Sequence, residues 1–294
     1  VKALTTDQVV ALTSAQAKAF STAQLSALTT AQTAAITTEQ ASALNGSQLA
    51  ALLSGMQASS LTTTQVAALS TAQVVALSTK QVSELSSTQV AALTAQQMTA
   101  MESADVAAMS TSAVAALSSA QVAALTTSQV TALTASQIAS LETADMVAMT
   151  TDQVGALNTT QVASLTVGMV TALSTDQVVA LTSAQLNSLT TAQIAALSTD
   201  QLTAIETTDL AKISTTNISA LTTDQVVALS TDQLVALSTL QVSNLTTDQL
   251  VALTTDQLVA MEAADIAKLS VANTQALTTD QVVALTTDQV AALS

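Results

Sequence analysis

Apolar residues return along this chain every eight positions. From Leu4 they fall at Leu12, Phe20, Leu28, Ile36, Leu44 and Leu52, then step by one residue to Leu61 and keep the same interval to Leu293. The intervening residues are nearly fixed, with the consensus (S/T)-T-x-Q-V-x-A-L, almost pure at Thr222 to Leu229, Thr246 to Leu253 and Thr278 to Leu285. We number these octad positions one to eight. The apolar pair at positions five and eight lies three residues apart, which is the spacing of a helix face and not the alternation of a strand.

The head of each octad has the chemistry of a helix start. Position one is Ser or Thr, whose oxygen caps the first free N–H groups, and Gln at position four completes an S/T-x-x-Q capping box. Asp, frequent at position three, suits the positive end of the helix dipole. Leu before the cap and Val at position five occupy the two sites of a hydrophobic staple. Each octad therefore predicts one short capped helix.

A single continuous helix fails on geometry. Eight residues advance the apolar position by roughly 80° beyond two full turns, so the stripe would wind round the helix within a few repeats. Hydroxyl and β-branched residues at the head of every octad also favour capping over propagation. The expected fold is an all-α solenoid, a superhelix of short capped helices, one per eight-residue repeat. A parallel β-solenoid is the alternative, because short Thr- and Val-rich repeats also build β-coils, although Gly, Asn and Pro are scarce for its corners. Asp152, Asp176, Asp200, Asp224 and Asp248 stand 24 residues apart, as do Asp232, Asp256 and Asp280. That interval hints at three octads per superhelical turn, or at duplication of a 24-residue unit. The array reads as one continuous domain over residues 1–294, with a phase slip near 53–61 beside Gly46 and Gly55 that marks either a bend or drift in a tolerant array. Its ends, Val1 without an export signal and Ser294 inside the next octad, suggest a segment of a longer chain or filament.

Composition sharpens the solenoid reading. The chain has one Phe, no Trp, Tyr, Pro, Cys or His, and four Gly. A core of small aliphatic groups must gather its burial by regular stacking. No apolar run reaches the roughly 18 residues of a membrane span, which argues against insertion. A formal charge of -15, from 20 acidic and 5 basic residues, argues against nucleic acid and anionic lipid.

Catalysis is poorly supplied, because His and Cys are absent and capping accounts for the hydroxyls; the chain is not expected to be an enzyme. Four octads depart from the consensus together, carrying Glu at position one and Asp at position four: Glu102 with Asp105, Glu142 with Asp145, Glu206 with Asp209, and Glu262 with Asp265. They are the metal candidates, as paired carboxylates that could take calcium, the one cofactor in prospect, or meet a neighbouring subunit. Read without a ligand, Glu-x-x-Asp is another helix start, with Asp209 and Lys212, or Asp265 and Lys268, forming surface ion pairs. The Asp ladder at position three could bind calcium weakly, though the helix dipole accounts for it. Thr at position two, expected to face solvent, could carry glycans or order water as an ice-binding surface does.

Strings such as LTTDQVVALSTDQLVALS, residues 221–238, resemble the low-complexity Thr/Gln/Ala/Leu octapeptide regions of large secreted or cell-surface adhesin-like bacterial proteins. The resemblance covers the chain and carries no site residue. It implies an extracellular or cell-surface location and a polymeric or stalk-like role. Both ends of the array lack polar caps, so head-to-tail self-association, in a filament or stalk, is the expected partnership. The other reading is a module that binds calcium, a glycan or an ice surface along its Asp or Thr ladders.

Overall fold

In the regular octads the corner is made of two extended residues. In the octad Thr246–Leu253, the cap Thr246 has φ -69° and ψ 160°, the helix Thr247–Ala252 follows, and Leu253 leaves it at φ -56° and ψ 138°. The Thr246 side chain accepts the Gln249 N–H at 3.2 Å, while Gln249 Oε1 accepts the Thr246 N–H at 2.8 Å. Among the described residues none has a positive φ, so these corners need no glycine, which is why a chain with four can turn so often.

The computed structural model describes residues 1–54 and 58–293, with only the backbone at Thr30 and Ser60. Gly55, beside the phase slip, lies outside the described residues. Those described contain thirty-five α-helices of four to eight residues, one 3-10 turn at Ala58–Ser60, and no strand. The fold is an all-α solenoid, and the β-solenoid alternative is excluded.

The chain divides into two units, Val1–Met149 and Thr150–Ser294. Within each, a helix packs against the helix three octads further on. Ser103–Ala108 meets Thr127–Ala132 in the first unit, and Thr223–Ala228 meets Thr247–Ala252 in the second. Helices this short do not stand alone in water, so their stability comes from this stacking.

Positions five and eight supply the core of both units: Val130 and Val226 are 0% exposed, Leu133 3% and Leu229 4%. Full burial of such a side chain contributes about 1.5–3 kcal/mol, and a regular interior octad adds two. Ala at position seven is half-buried, while positions one, three and six are mostly open, leaving Val227, Val235, Val251 and Val259 on the surface.

Two glycines mark close approaches between coils. A Cβ on Gly46 would lie 2.6 Å from Ala76 Cβ and 2.9 Å from Ala72 O, and one on Gly155 would lie 3.1 Å from Ala180 O. Gly46 thus serves tight packing beside the slip.

Candidate functional site

The glutamine at position four is buried, and its amide does two jobs. Besides accepting the cap N–H through Oε1, Gln249 donates Nε2 to Leu221 O at 2.7 Å and Ile218 O at 2.9 Å. In the first unit Gln129 donates to Met101 O at 2.8 Å and Met98 O at 2.7 Å. Both pairs of acceptors lie 28 and 31 residues back, at positions eight and five of the coil beneath. These are carbonyls of a helix end that has run out of intrahelical donors. A ladder of amides thus sews each coil to the previous one. Each net bond contributes about 0.5–1.5 kcal/mol, and a buried carbonyl left bare costs about 1–3 kcal/mol. The capping box anticipated only the accepting half of this role.

Shorter side chains at position four keep part of the ladder. Asn217 Nδ2 donates to Leu189 O at 3.0 Å and Asn273 Nδ2 to Leu245 O at 2.9 Å, again 28 residues back. Asp has no donor to offer. Asp105, Asp145 and Asp265 are 3%, 2% and 4% exposed, and Asp209 is half-buried. Asp145 accepts the Glu142 N–H at 2.9 Å and the Ser119 hydroxyl at 2.9 Å. Asp209 accepts the Ser183 hydroxyl. Position two, expected to face solvent, is therefore half-buried at Ser119 and Ser183, in the coils beneath Asp145 and Asp209.

The paired glutamates sit outside. Glu102, Glu142, Glu206 and Glu262 are exposed at the caps. The expected ion pairs of Asp209 with Lys212 and Asp265 with Lys268 do not form, because position four faces the coil beneath while the lysines, at position seven, are exposed. Among the described residues the ion pair within 4.0 Å is Lys80 with Glu84. Those residues also bring no three acidic side chains together as a metal cluster, and the position-three aspartates from Asp152 to Asp288 are exposed.

At the slip the ladder skips a rung. Gln81 is 8% exposed and its Oε1 accepts the Ser78 N–H, but its Nε2 finds no carbonyl. It borders a cleft of about 370 Å³ lined by Leu53, Ser54, Ser78, Lys80 and Glu84.

Comparison with known families bears on the junction where cap and amide meet. The ALTTAQ repeat matches at residues 71–103, 98–135, 138–175, 170–204, 202–239, 231–263 and 258–294. This chain belongs to the ALTTAQ repeat family. The hexapeptide itself stands at residues 27–32. In octad terms the ALTTAQ unit runs from position seven, through Leu and the cap, to Gln at position four. It therefore spells the joint between two helices together with the amide that sews that joint to the coil beneath. No curated protein matches the chain.

Proposed function

We propose that this ALTTAQ array is a non-catalytic structural module of an extracellular filament or bacterial surface stalk, in which copies associate end to end. The supporting observation is the ladder at its first three rungs. Gln8, Gln16 and Gln24 are exposed, and each uses its Oε1 on its own cap but its Nε2 on nothing. Gln32, one octad later, is 3% exposed and donates to Leu4 O at 2.6 Å. The carbonyls of Leu269, Leu277 and Leu285 form the matching acceptor row at the same eight-residue interval, with Val282 49% and Val290 50% exposed beside them. An amide row at one face fits a carbonyl row at the other, whether the next coil comes from more chain or from a second copy.

Electron microscopy and sedimentation of the full chain test this. The wild type is expected to form concentration-dependent linear multimers. The triple variant Gln8→Glu, Gln16→Glu, Gln24→Glu, which keeps the cap acceptor and loses the three donors, is expected to stay monomeric with unchanged helical circular dichroism. Wild-type chain dispersed as monomers at high concentration would rule out end-to-end association. The other function considered, ligand binding along the repeats, draws support from the exposed hydroxyls of Thr223, Thr231, Thr247 and Thr279 at position two. Thermal hysteresis in the purified chain would favour an ice-ordering surface, and its absence would remove that version.

A further inference from the structure

Asparagine starts two helices of the array, and the two caps are built alike. Asn45 has φ -77° and ψ 169°, and Asn158 has φ -78° and ψ 164°. Each side-chain Oδ1 accepts the N–H of its position-four glutamine, at 2.8 Å from Gln48 and 3.0 Å from Gln161. Both asparagines are exposed, and neither Nδ2 donates a hydrogen bond among the described residues. They differ in the residue that follows. Thr159 is the usual occupant of position two, whereas Gly46 is the one glycine found there. That glycine is set by packing, because a Cβ on it would lie 2.6 Å from Ala76 Cβ and 2.9 Å from Ala72 O. Close approach of the coils beside the slip therefore puts an Asn-Gly pair on an exposed cap.

Such a pair can react with itself. The Gly46 N–H is the first of its helix, where no intrahelical acceptor exists, and it donates no backbone hydrogen bond. Without a Cβ beside it, this nitrogen is open to the Asn45 carboxamide, while at Asn158 the β-branched Thr159 crowds the same approach. What keeps the groups apart is the cap, which holds ψ of Asn45 extended through its two bonds with Gln48. Helix ends of this kind open locally without unfolding of the whole.

We propose that Asn45 is a self-modification site, at which asparagine converts to aspartate and isoaspartate with water as the only co-reactant. When the cap opens, the Gly46 nitrogen gives its proton to solvent and attacks Asn45 Cγ. The new Cγ–N bond forms, the Cγ–Nδ2 bond breaks, and Nδ2 takes a proton from solvent and leaves as ammonia. Water then opens the five-membered imide. Cleavage at Cγ returns an ordinary chain with aspartate in place of Asn45, which caps as asparagine does. Cleavage at the backbone carbonyl leaves isoaspartate, with an extra carbon in the chain where the coils have no room for a single Cβ. Because the Gly46 nitrogen must lose its proton, the conversion speeds up as pH rises. The inference is independent of end-to-end association.

Peptide mass spectrometry of the full chain, incubated folded at neutral and at mildly alkaline pH, tests it. The wild type is expected to lose the Asn45 amide and gain isoaspartate there, faster at the higher pH, while Asn158 stays intact. Asn45→Thr, which restores a consensus cap, is expected to keep the fold and abolish the reaction. The aged wild type is expected to melt lower than Asn45→Asp, since only the aged chain carries isoaspartate. The chain unfolded in denaturant is the positive control. An Asn45 that converts there but stays intact in the folded chain overturns the proposal, because the cap then never opens far enough. So does equal conversion of Asn45 and Asn158, which would deny the glycine its part. An aged chain that melts as high as Asn45→Asp would remove the structural consequence beside the slip.

Discussion

The coils around Leu250 and those around Leu53 are built from the same octad, yet one register is uniform and the other is interrupted. In the second unit Gln225, Gln249, Gln257, Gln281 and Gln289 all reach the position-eight carbonyl 28 residues back. Across the extra residue near Leu53, Gln65 and Gln73 instead reach Ile36 O and Leu44 O, each 29 residues back. Both still land on position eight. Gln81 makes no such bond, and by Gln89 the separation is 28 again. The ladder therefore follows octad position and not residue count. One inserted residue is absorbed by two rungs that span 29 residues and one empty one, after which the pattern resumes.

Substitutions can separate the two regions. The largest effect should come from the core. Leu250→Ala, at a side chain 0% exposed between regular coils, is expected to cost about 2–5 kcal/mol in local stability, read by hydrogen exchange of the amides in Thr247–Ala252. A cost below about 1 kcal/mol would mean that the coils close over the gap, and that positions five and eight do not carry the stack. Next comes the ladder itself. Gln249→Glu keeps the capping acceptor but leaves Leu221 O and Ile218 O without a donor and sets a carboxylate against them, at an expected cost of at least about 1–3 kcal/mol. Gln81→Glu removes no intercoil bond and is expected to cost less than Gln249→Glu. Equal effects at the two sites would break the contrast between a filled rung and an empty one.

Much of this was legible in the octad. Three-residue spacing of Val and Leu gave the buried face, and the Ser/Thr-x-x-Gln head gave the helix starts, because both are local rules. Intercoil bonding was not, because a bond spanning 28 residues leaves no local trace, and the capping box had already explained Gln. A sequence signal did exist: Glu, which caps as well as Gln, never occupies position four, and only the amide has an N–H to donate. The same blindness placed Asp209 and Asp265 on the surface beside lysines, since helical spacing alone does not say that position four looks into the neighbouring coil. The metal candidates were found as a departure from consensus. What the carboxylate of Asp145 does there, accepting the Ser119 hydroxyl of the coil beneath, required the stacking.

Gly46 tests how tightly the irregular region is packed. Gly46→Ala places a Cβ 2.6 Å from Ala76 Cβ and 2.9 Å from a backbone oxygen that does not rotate away, so the coils must part, at a cost of about 1–3 kcal/mol. Gly155→Ala meets one carbonyl at 3.1 Å, and there the helix gains propensity. Its net effect should be smaller than that of Gly46→Ala, and a larger loss in thermal melting of the full chain would show that the regular coils are the less compliant of the two.

The smallest effect belongs to the caps. Thr246→Ala removes the oxygen that accepts the Gln249 N–H at 3.2 Å, and an N-cap of this kind contributes about 0.5–2 kcal/mol. The Gln249 side chain should hold its place, because its Nε2 remains tied to Leu221 O and Ile218 O. The loss should therefore sit at the low end of that range and leave exchange in the coil beneath unchanged. At Ser78→Ala the neighbouring Gln81 has no intercoil bond to steady it, so the same deletion should free the side chain and cost more. Amide exchange at Gln249 and Gln81 in the two variants decides the matter: a greater loss at Gln249 would mean that the cap holds the amide in place, and not the ladder.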